Sequence, residues 1–176
     1  QMSTWEADSD LSRYNRATAG SWHALPEQTR QVLHCAQAIA AASDGAFDPT
    51  LGPLVALWGF GAQANARQQR PDPTLLASTR ARCGWQKLQW REDALLEPGG
   101  LERGLSASAK GCGGDEVARG LRRQNIGAAL VEVGGELFGV GREPDGSPWR
   151  VLVESAPEED AATPTPPRVL ALDGQA

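Results

Sequence analysis

A glycine-rich segment around a single lysine is the part of the sequence best equipped for chemistry. Residues 104–115 read GLSASAKGCGGD, so Lys110 stands among glycines just before a predicted helix. Glycines let backbone N–H groups approach a ligand closely, a helix N-terminus is partly positive, and an ammonium group adds a mobile positive charge. The residues alone leave two interpretations open: a phosphate-binding loop and an ordinary connecting loop.

The same segment nearly matches the phosphate-binding loop of nucleoside triphosphatases, and the mismatches exclude that class. The pattern G-x-x-x-x-G-K-[ST] needs a second glycine before the lysine and a Ser or Thr after it to bind magnesium. Here Ala109 precedes Lys110 and Gly111 follows it. Residues 97–100, EPGG, are also not the strand that must come before such a loop.

Other residue types that often carry chemistry lack a suitable pattern. His23 and His34 do not have the spacing of metal ligands, which favours ordinary surface or helix-face histidines. Trp5 could stack on a base or fill the core, and the residues do not choose between these roles. The cysteines have no CxxC or metal-finger spacing and are predicted to be small buried or free thiols: Cys35, Cys83 and Cys112.

The composition limits the classes of function. A chain of 176 residues is long enough for one well-cored domain, and its net charge of -5 argues against a nucleic-acid partner. No apolar run is long enough to be a transmembrane segment. We expect one domain over residues 1–176. Because the chain begins at Gln1 and ends in a strand-like segment, we expect this domain to be incomplete at both ends.

The elements that would position these residues change in type along the chain. The first half is predicted to be mostly helical, with a short helix over 8–15, a long helix from Pro26 to about Ser43 closed by Asp44-Gly45, a helix N-terminus at Asp48 and a helix over 73–82. The long helix is predicted to bury Val32, Ala36, Ile39 and Ala40, with Leu33 beside them. Short strands are predicted over 87–90 and 94–96, and surface loops over 62–72 and 156–167.

The second half is predicted to be richer in strands. A helix from about Asp115 to Gln124 is followed by strands over 128–133, 137–140 and 149–154, and by a strand running into a turn from residue 168. Gly134-Gly135 is predicted to be a hairpin turn. Helices followed by mostly antiparallel strands indicate an α+β fold.

Four segments together cover nearly the whole chain. The longest and most specific is residues 44–61, DGAFDPTLGPLVALWGFG. The others are residues 2–15, MSTWEADSDLSRYN; residues 105–111, LSASAKG, with Asp115; and residues 129–136, ALVEVGGE, with WRV at 149–151. In this order and at family-like intervals, the four segments resemble the ApbE flavin transferases.

The resemblance implies an ApbE-like, T-fold-like domain that binds FAD. It further implies a Mg²⁺-dependent transfer of FMN from FAD to a Thr or Ser hydroxyl of an acceptor protein that carries a flavinylation motif, with release of AMP. Such a transfer requires positioning and neutralisation of charge on the phosphate oxygens. The family also implies a periplasmic location, with a lipid anchor to the inner membrane.

The resemblance assigns roles to individual residues. Trp5 matches an aromatic position near the flavin nucleotide, and Ala46, Phe47 and Asp48 match a stretch that lines the FAD site. Lys110 matches an FAD-contacting position. Gly104 stands at a further FAD-contacting position. The Ala107 carbonyl matches a magnesium ligand.

The chain departs from the family pattern in ways that favour a second hypothesis. Gly104 replaces an aspartate, although Glu102 is nearby, and residues 112–114 replace a bulkier stretch. The family's His-x-x-Asp-Pro segment and the remaining magnesium ligands are expected beyond Ala176, so residues 1–176 alone are expected not to transfer FMN. The alternative is therefore a degenerate or truncated relative that binds FAD or flavin without transferase activity.

Overall fold

The structure is a computed structural model that describes residues 1–61, 70–153 and 166–172. The chain forms two compact units, Gln1–Ala109 and Lys110–Ala176. The prediction of one domain over the whole chain therefore stays a prediction. The predicted loops over 62–72 and 156–167 fall mainly on residues outside the described ranges.

The first unit combines helices with a small sheet. Its three strands pair in the order β1-β3-β2, and both pairs are antiparallel. Its elements are α1 (Asp10–Asn15), β1 (Trp22–Ala24), α2 (Glu27–Ala42), α3 (Gly52–Leu57), α4 (Pro73–Arg82), a 3₁₀ turn (Trp85–Lys87), β2 (Trp90–Arg91), β3 (Ala94–Leu96) and the start of α5 (Ser106–Arg123).

The second unit holds the rest of α5 and two antiparallel strand pairs. These are β4 (Ala129–Val133) with β5 (Glu136–Val140), and β6 (Trp149–Val153) with β7 (Arg168–Leu172). Gly134 and Gly135 both have positive φ in the β4–β5 turn, as the hairpin prediction requires. Helices mixed with antiparallel strands confirm the α+β class.

The helices around the first-unit core form largely as predicted. The Ser9 side chain accepts a hydrogen bond from the backbone N–H of Ser12 and so caps α1. At the end of α2, Asp44 and Gly45 both have positive φ, as a helix C-cap requires. The prediction for Ile39 is wrong, because this side chain is 47% exposed while Val32, Leu33, Ala36 and Ala40 are buried.

Two predictions around short elements are also wrong. Asp48 does not start α3, which begins at Gly52 without a side-chain cap. The Asp48 carboxylate instead accepts hydrogen bonds from the backbone N–H groups of Thr50 and Trp85. The predicted strand over 87–90 is reduced to β2, because a 3₁₀ turn takes up residues 85–87.

The largest correction concerns the glycine-rich segment. The glycine-rich stretch over 99–114, predicted to precede a helix from about Asp115, is helical from Ser106, so α5 begins nine residues earlier than expected. Glycine in a helix costs about 1 kcal/mol relative to alanine, yet packing often outweighs such a cost. Gly114 is buried, and a Cβ on Gly113 would lie 3.5 Å from the Val133 side chain, which is ordinary contact distance, so β4 lies next to this side of the helix. In the described parts of the chain, no helix is long and apolar enough to cross a membrane.

Candidate functional site

A cavity of about 360 Å³ in the first unit collects most of the residues assigned by resemblance. Its size falls in the range of about 300–1,000 Å³ that is typical of ligand pockets. Six of the seven assigned residues line it: Trp5, Ala46, Phe47, Asp48, Gly104 and Ala107. These residues come from three segments that lie far apart in the sequence.

Two backbone segments are joined to form one wall of this cavity. The Gly104 N–H donates to the Pro49 carbonyl at 3.0 Å, and the Gly52 N–H donates to the Glu102 carbonyl at 3.2 Å. Leu51 and Glu102 form a parallel bridge between the same segments. A Cβ on Gly52 would lie 2.6 Å from the Glu102 carbonyl oxygen, so only glycine permits this approach.

Asp48 organises the wall through its carboxylate. Oδ1 accepts hydrogen bonds from the Thr50 N–H at 2.8 Å and the Thr50 hydroxyl at 2.6 Å, and Oδ2 accepts from the Trp85 N–H at 3.1 Å. Thr50 is fully buried, and its hydroxyl in turn accepts from the Gly84 N–H at 2.7 Å. The carboxylate therefore ties residues 48–50 to the start of the 3₁₀ turn and has little remaining capacity for a ligand.

Apolar side chains with large exposed areas give the cavity a surface suited to a flat ring. Trp5 is 70% exposed, which decides against the core-filling role left open by the sequence. Phe60 and Val55 are also exposed, and Phe47 is half-buried. Exposed aromatic faces offer offset stacking to a planar ligand.

The start of α5 provides the polar side of the cavity. Ser106 and Ala107 lie in the first turn of this helix and line the cavity. The first N–H groups of a helix have no intrahelical partners, and the helix dipole favours a negative charge there. The feature that suggests a phosphate site is thus a helix N-terminus rather than the predicted glycine-rich loop.

The seventh assigned residue, Lys110, belongs to the second unit. It lies within α5, and its Nζ donates to the Gly134 carbonyl at 2.9 Å. A Cβ on Gly134 would come within 3.2 Å of the lysine side chain, so this glycine leaves room for it. The lysine is therefore tied to the β4–β5 turn.

The described residues do not form a magnesium site. In the described ranges there is no group of three or more His, Cys, Asp or Glu side chains that could hold a metal ion. Asp48 and Glu102 are the acidic residues on the cavity lining, and the Asp48 carboxylate already accepts three hydrogen bonds. Mg²⁺ requires near-octahedral oxygen ligation, which the Ala107 carbonyl cannot provide alone.

The cysteines do not contribute a nucleophile to this cavity. All three are free thiols, as predicted, and none lines the cavity: Cys35, Cys83 and Cys112. Burial raises the pKa of the Cys83 and Cys112 thiols, which keeps them protonated and unreactive.

Sequence reasoning missed the buried residue behind the wall. Arg103 is fully enclosed, its Nη1 bonds the Glu97 carboxylate, and its Cζ lies 4.3 Å from the centre of the Tyr14 ring. Burial raises the pKa of the Tyr14 hydroxyl, which donates to the Leu96 carbonyl at 2.8 Å. The available signal was the adjacent Tyr14 and Asn15 at the end of the opening motif, which α1 presents to Arg103.

Comparisons with known proteins agree with this fold. A sequence model of the ApbE family matches residues 1–176. An FAD:protein FMN transferase of Vibrio cholerae is 42% identical over 159 residues, which are 88% of this chain and 46% of the relative. One from Haemophilus influenzae is 35% identical over 162 residues, again 88% of this chain and 46% of the relative. The chain belongs to the ApbE family.

Solved structures support the same assignment. The apo crystal structure of Pseudomonas stutzeri flavinyl transferase ApbE superposes with a TM-score of 0.83 at 36% identity, covering 98% of this chain and 54% of that one. Flavin transferase ApbE from Vibrio cholerae gives a TM-score of 0.82 at 40% identity, covering 88% of this chain and 50% of that one. The chain spans about half the length of the curated relatives it matches.

Proposed function

We propose that the chain forms the FAD-binding part of a flavin transferase, which transfers FMN from FAD to a Thr or Ser hydroxyl of an acceptor protein. The hydroxyl oxygen forms a bond to the FMN-side phosphorus, the bond from that phosphorus to the bridging oxygen breaks, AMP leaves with this oxygen, and the hydroxyl proton passes to solvent. The observation that carries this proposal is the convergence of six family-matched residues on one cavity. The names of the relatives supply the reaction class.

The cavity offers complementary surfaces to the parts of FAD. Trp5, Phe47 and Phe60 provide aromatic area for a planar ring. The first turn of α5, with Ser106 and Ala107, offers N–H groups and a partial positive charge to the pyrophosphate. This chain's own contribution is thus to bind and orient FAD.

Magnesium enters the proposal as a cofactor. The metal would neutralise charge on the pyrophosphate, and the Ala107 carbonyl is the one family-matched ligand among the described residues. Since these residues do not form a metal site, we derive no step through the metal from them.

A second candidate function is FAD binding without transfer. It is favoured by Gly104, which stands where the resemblance places an FAD-contacting carboxylate. No Cβ contact occurs within 4 Å of Gly104, so the missing side chain leaves open space on the cavity wall. A weaker hold on the nucleotide at this position would leave a protein that binds flavin but orients it poorly for transfer.

The family also guides a proposal about location and partner. We propose a periplasmic protein, lipid-anchored to the inner membrane, that acts on an acceptor with a Thr or Ser flavinylation motif. Fractionation of cells that produce the natural polypeptide tests the location. Recovery in the cytosolic fraction would contradict it.

A transfer assay separates the two candidate functions. The natural polypeptide containing these residues is incubated with FAD, Mg²⁺ and an acceptor protein, and covalent flavin fluorescence is read in a denaturing gel. A fluorescent acceptor band, absent when the target Thr is replaced by Val, is the expected result. FAD binding without such a band would support the binding-only alternative, and loss of both would contradict the proposal.

A further inference from the structure

Residues 102–104 form part of the cavity wall, and hydrogen bonds hold this segment along both of its edges. On the cavity edge, Gly104 and Glu102 make the backbone hydrogen bonds to residues 49–52 described above. On the opposite edge, the Asn15 side-chain Nδ2 donates to the Arg103 carbonyl at 3.0 Å, and the Arg103 N–H donates to Asn15 Oδ1 at 3.0 Å. The Asn15 amide thus replaces a neighbouring strand for this short segment.

The Arg103 side chain also holds this segment in place, through buried contacts. It has no exposed area, and its guanidinium pairs with the equally buried Glu97 carboxylate. Nη1 also donates to the Leu101 carbonyl at 2.9 Å, and the ring of Tyr14 covers the guanidinium. Because the charged end is enclosed, Arg103 cannot act on a ligand through solvent-facing contacts.

We propose that Asn15 and Arg103 are positioning residues that hold Glu102 and Gly104 at the spacing from residues 46–52 needed to bind FAD. This inference rests on the proposed function. It gives Asn15, the last residue of the opening motif over residues 2–15, a role in shaping the cavity. Asn15 does not line the cavity and the Arg103 side chain is fully buried, so neither side chain would contact the ligand. The planar, forked guanidinium suits this task, because it can bond several fixed oxygens at once while stacking on an aromatic ring.

The first test changes the Asn15 amide and measures FAD affinity by titration. Asn15→Ala removes both hydrogen bonds to Arg103 and is expected to raise the FAD Kd by about tenfold, the effect of one to two hydrogen bonds. Asn15→Asp keeps the acceptor but loses the donor, so it is expected to give a partial effect. The matched control is Gln37→Ala, since the Gln37 amide also bridges two groups, the Leu88 carbonyl and the Trp90 indole N–H.

Gln37 does not line the cavity, so its variant is expected to lower thermal stability while changing the FAD Kd less than about twofold. This comparison separates positioning from a general loss of stability. An Asn15→Ala protein that is folded and binds FAD as tightly as the wild type would overturn the inference.

The second test does not depend on FAD. Hydrogen–deuterium exchange is measured at the amides of Gly52 and Gly104, which make the two bonds across the wall. In Asn15→Ala both amides are expected to exchange about tenfold faster, while the Val55 amide, bonded to the Leu51 carbonyl at 2.9 Å, stays unchanged. Unchanged exchange at the Gly52 and Gly104 amides would overturn the inference, whether or not the wild type binds FAD. A wild type that does not bind FAD would instead count against the proposed function.

Arg103 itself needs a variant that leaves no buried charge unpaired. The double change Arg103→Met with Glu97→Gln removes both charges and is expected to raise the FAD Kd, whereas Arg91→Met provides the control. Arg91 also stacks on an aromatic ring, at 4.5 Å from the centre of Trp22, but it lies off the cavity wall. Wild-type affinity in the folded double variant would contradict the role of Arg103. If that variant does not fold, the two measurements on Asn15→Ala decide the inference.

Discussion

Replacing Gly52 with alanine tests the close approach that builds the cavity wall. The added Cβ would lie 2.6 Å from the Glu102 carbonyl oxygen and 3.0 Å from its carbon. Ordinary contact begins near 3.4 Å, so the two backbone segments would have to separate by roughly 0.8 Å. The carbonyl cannot yield easily, because the neighbouring Arg103 is held by Asn15.

The expected loss of stability follows from three contributions. Overpacking costs about 1–3 kcal/mol, and losing the hydrogen bond from the Gly52 N–H costs about 1 kcal/mol more. The lower entropy of the unfolded alanine chain returns about 0.4–1 kcal/mol. We expect Gly52→Ala to lower the free energy of unfolding by about 2 kcal/mol and to weaken FAD binding.

Urea unfolding followed by tryptophan fluorescence measures the free energy of unfolding, and Gly104→Ala provides the control. Gly104 lines the same cavity, but its added Cβ would meet nothing within 4 Å, and φ is not positive at either glycine. Gly104→Ala is therefore expected to stay within about 0.5 kcal/mol of the wild type. Equal stability in wild type and Gly52→Ala, or equal losses in the two variants, would refute the reasoning.

Three further predictions use other residues. Gly104→Asp restores the family carboxylate at a position with open space and non-positive φ. It is therefore expected to tighten FAD binding relative to Gly104→Asn, and equal affinities in a titration would contradict the alignment of this segment. The resemblance alone assigns Lys110 to the FAD site, and on that assignment Lys110→Ala is expected to weaken FAD binding by about 1.5–3 kcal/mol, the value of a hydrogen bond to a charged group. Equal affinity would remove the lysine from the site. Because burial raises the pKa of Tyr14, the unfolded chain loses this proton first, and stability should fall as pH rises above about 10; Tyr14→Phe should flatten that decline in unfolding curves.

Local signals made much of the first unit predictable. The start of α1 at a capping serine, the end of α2 at Asp44 and Gly45, and the helix over 73–82 each depend on residues that act on their own backbone. Resemblance, rather than local chemistry, supplied the assignment of residues 46–48 to a ligand site. The structure places these residues on one cavity with Trp5 and Gly104, although no local pattern links them.

The misses came from contacts between distant residues. The start of α5 was placed too late because its glycines suggest a loop, whereas the segment is helical and lies next to Val133 of β4 at Gly113. The wall behind the cavity depends on Asn15 and Arg103, which are 88 residues apart, so no sequence window contains both. Ile39 has the spacing of a buried residue, yet it is exposed beside the fully buried Ala40, so the buried face of α2 is narrower than the spacing predicts.

An FAD titration on three proteins tests the central claim most directly. The wild type is expected to bind FAD in preference to FMN or ATP, because both ring systems and the pyrophosphate contribute. Trp5→Ala is expected to weaken FAD by roughly 5- to 150-fold, the range for loss of stacking of about 1–3 kcal/mol. Trp58→Ala, an exposed tryptophan off the cavity lining, should leave the affinity unchanged. Wild-type FAD affinity in Trp5→Ala, or no FAD binding by the wild type, would contradict the account.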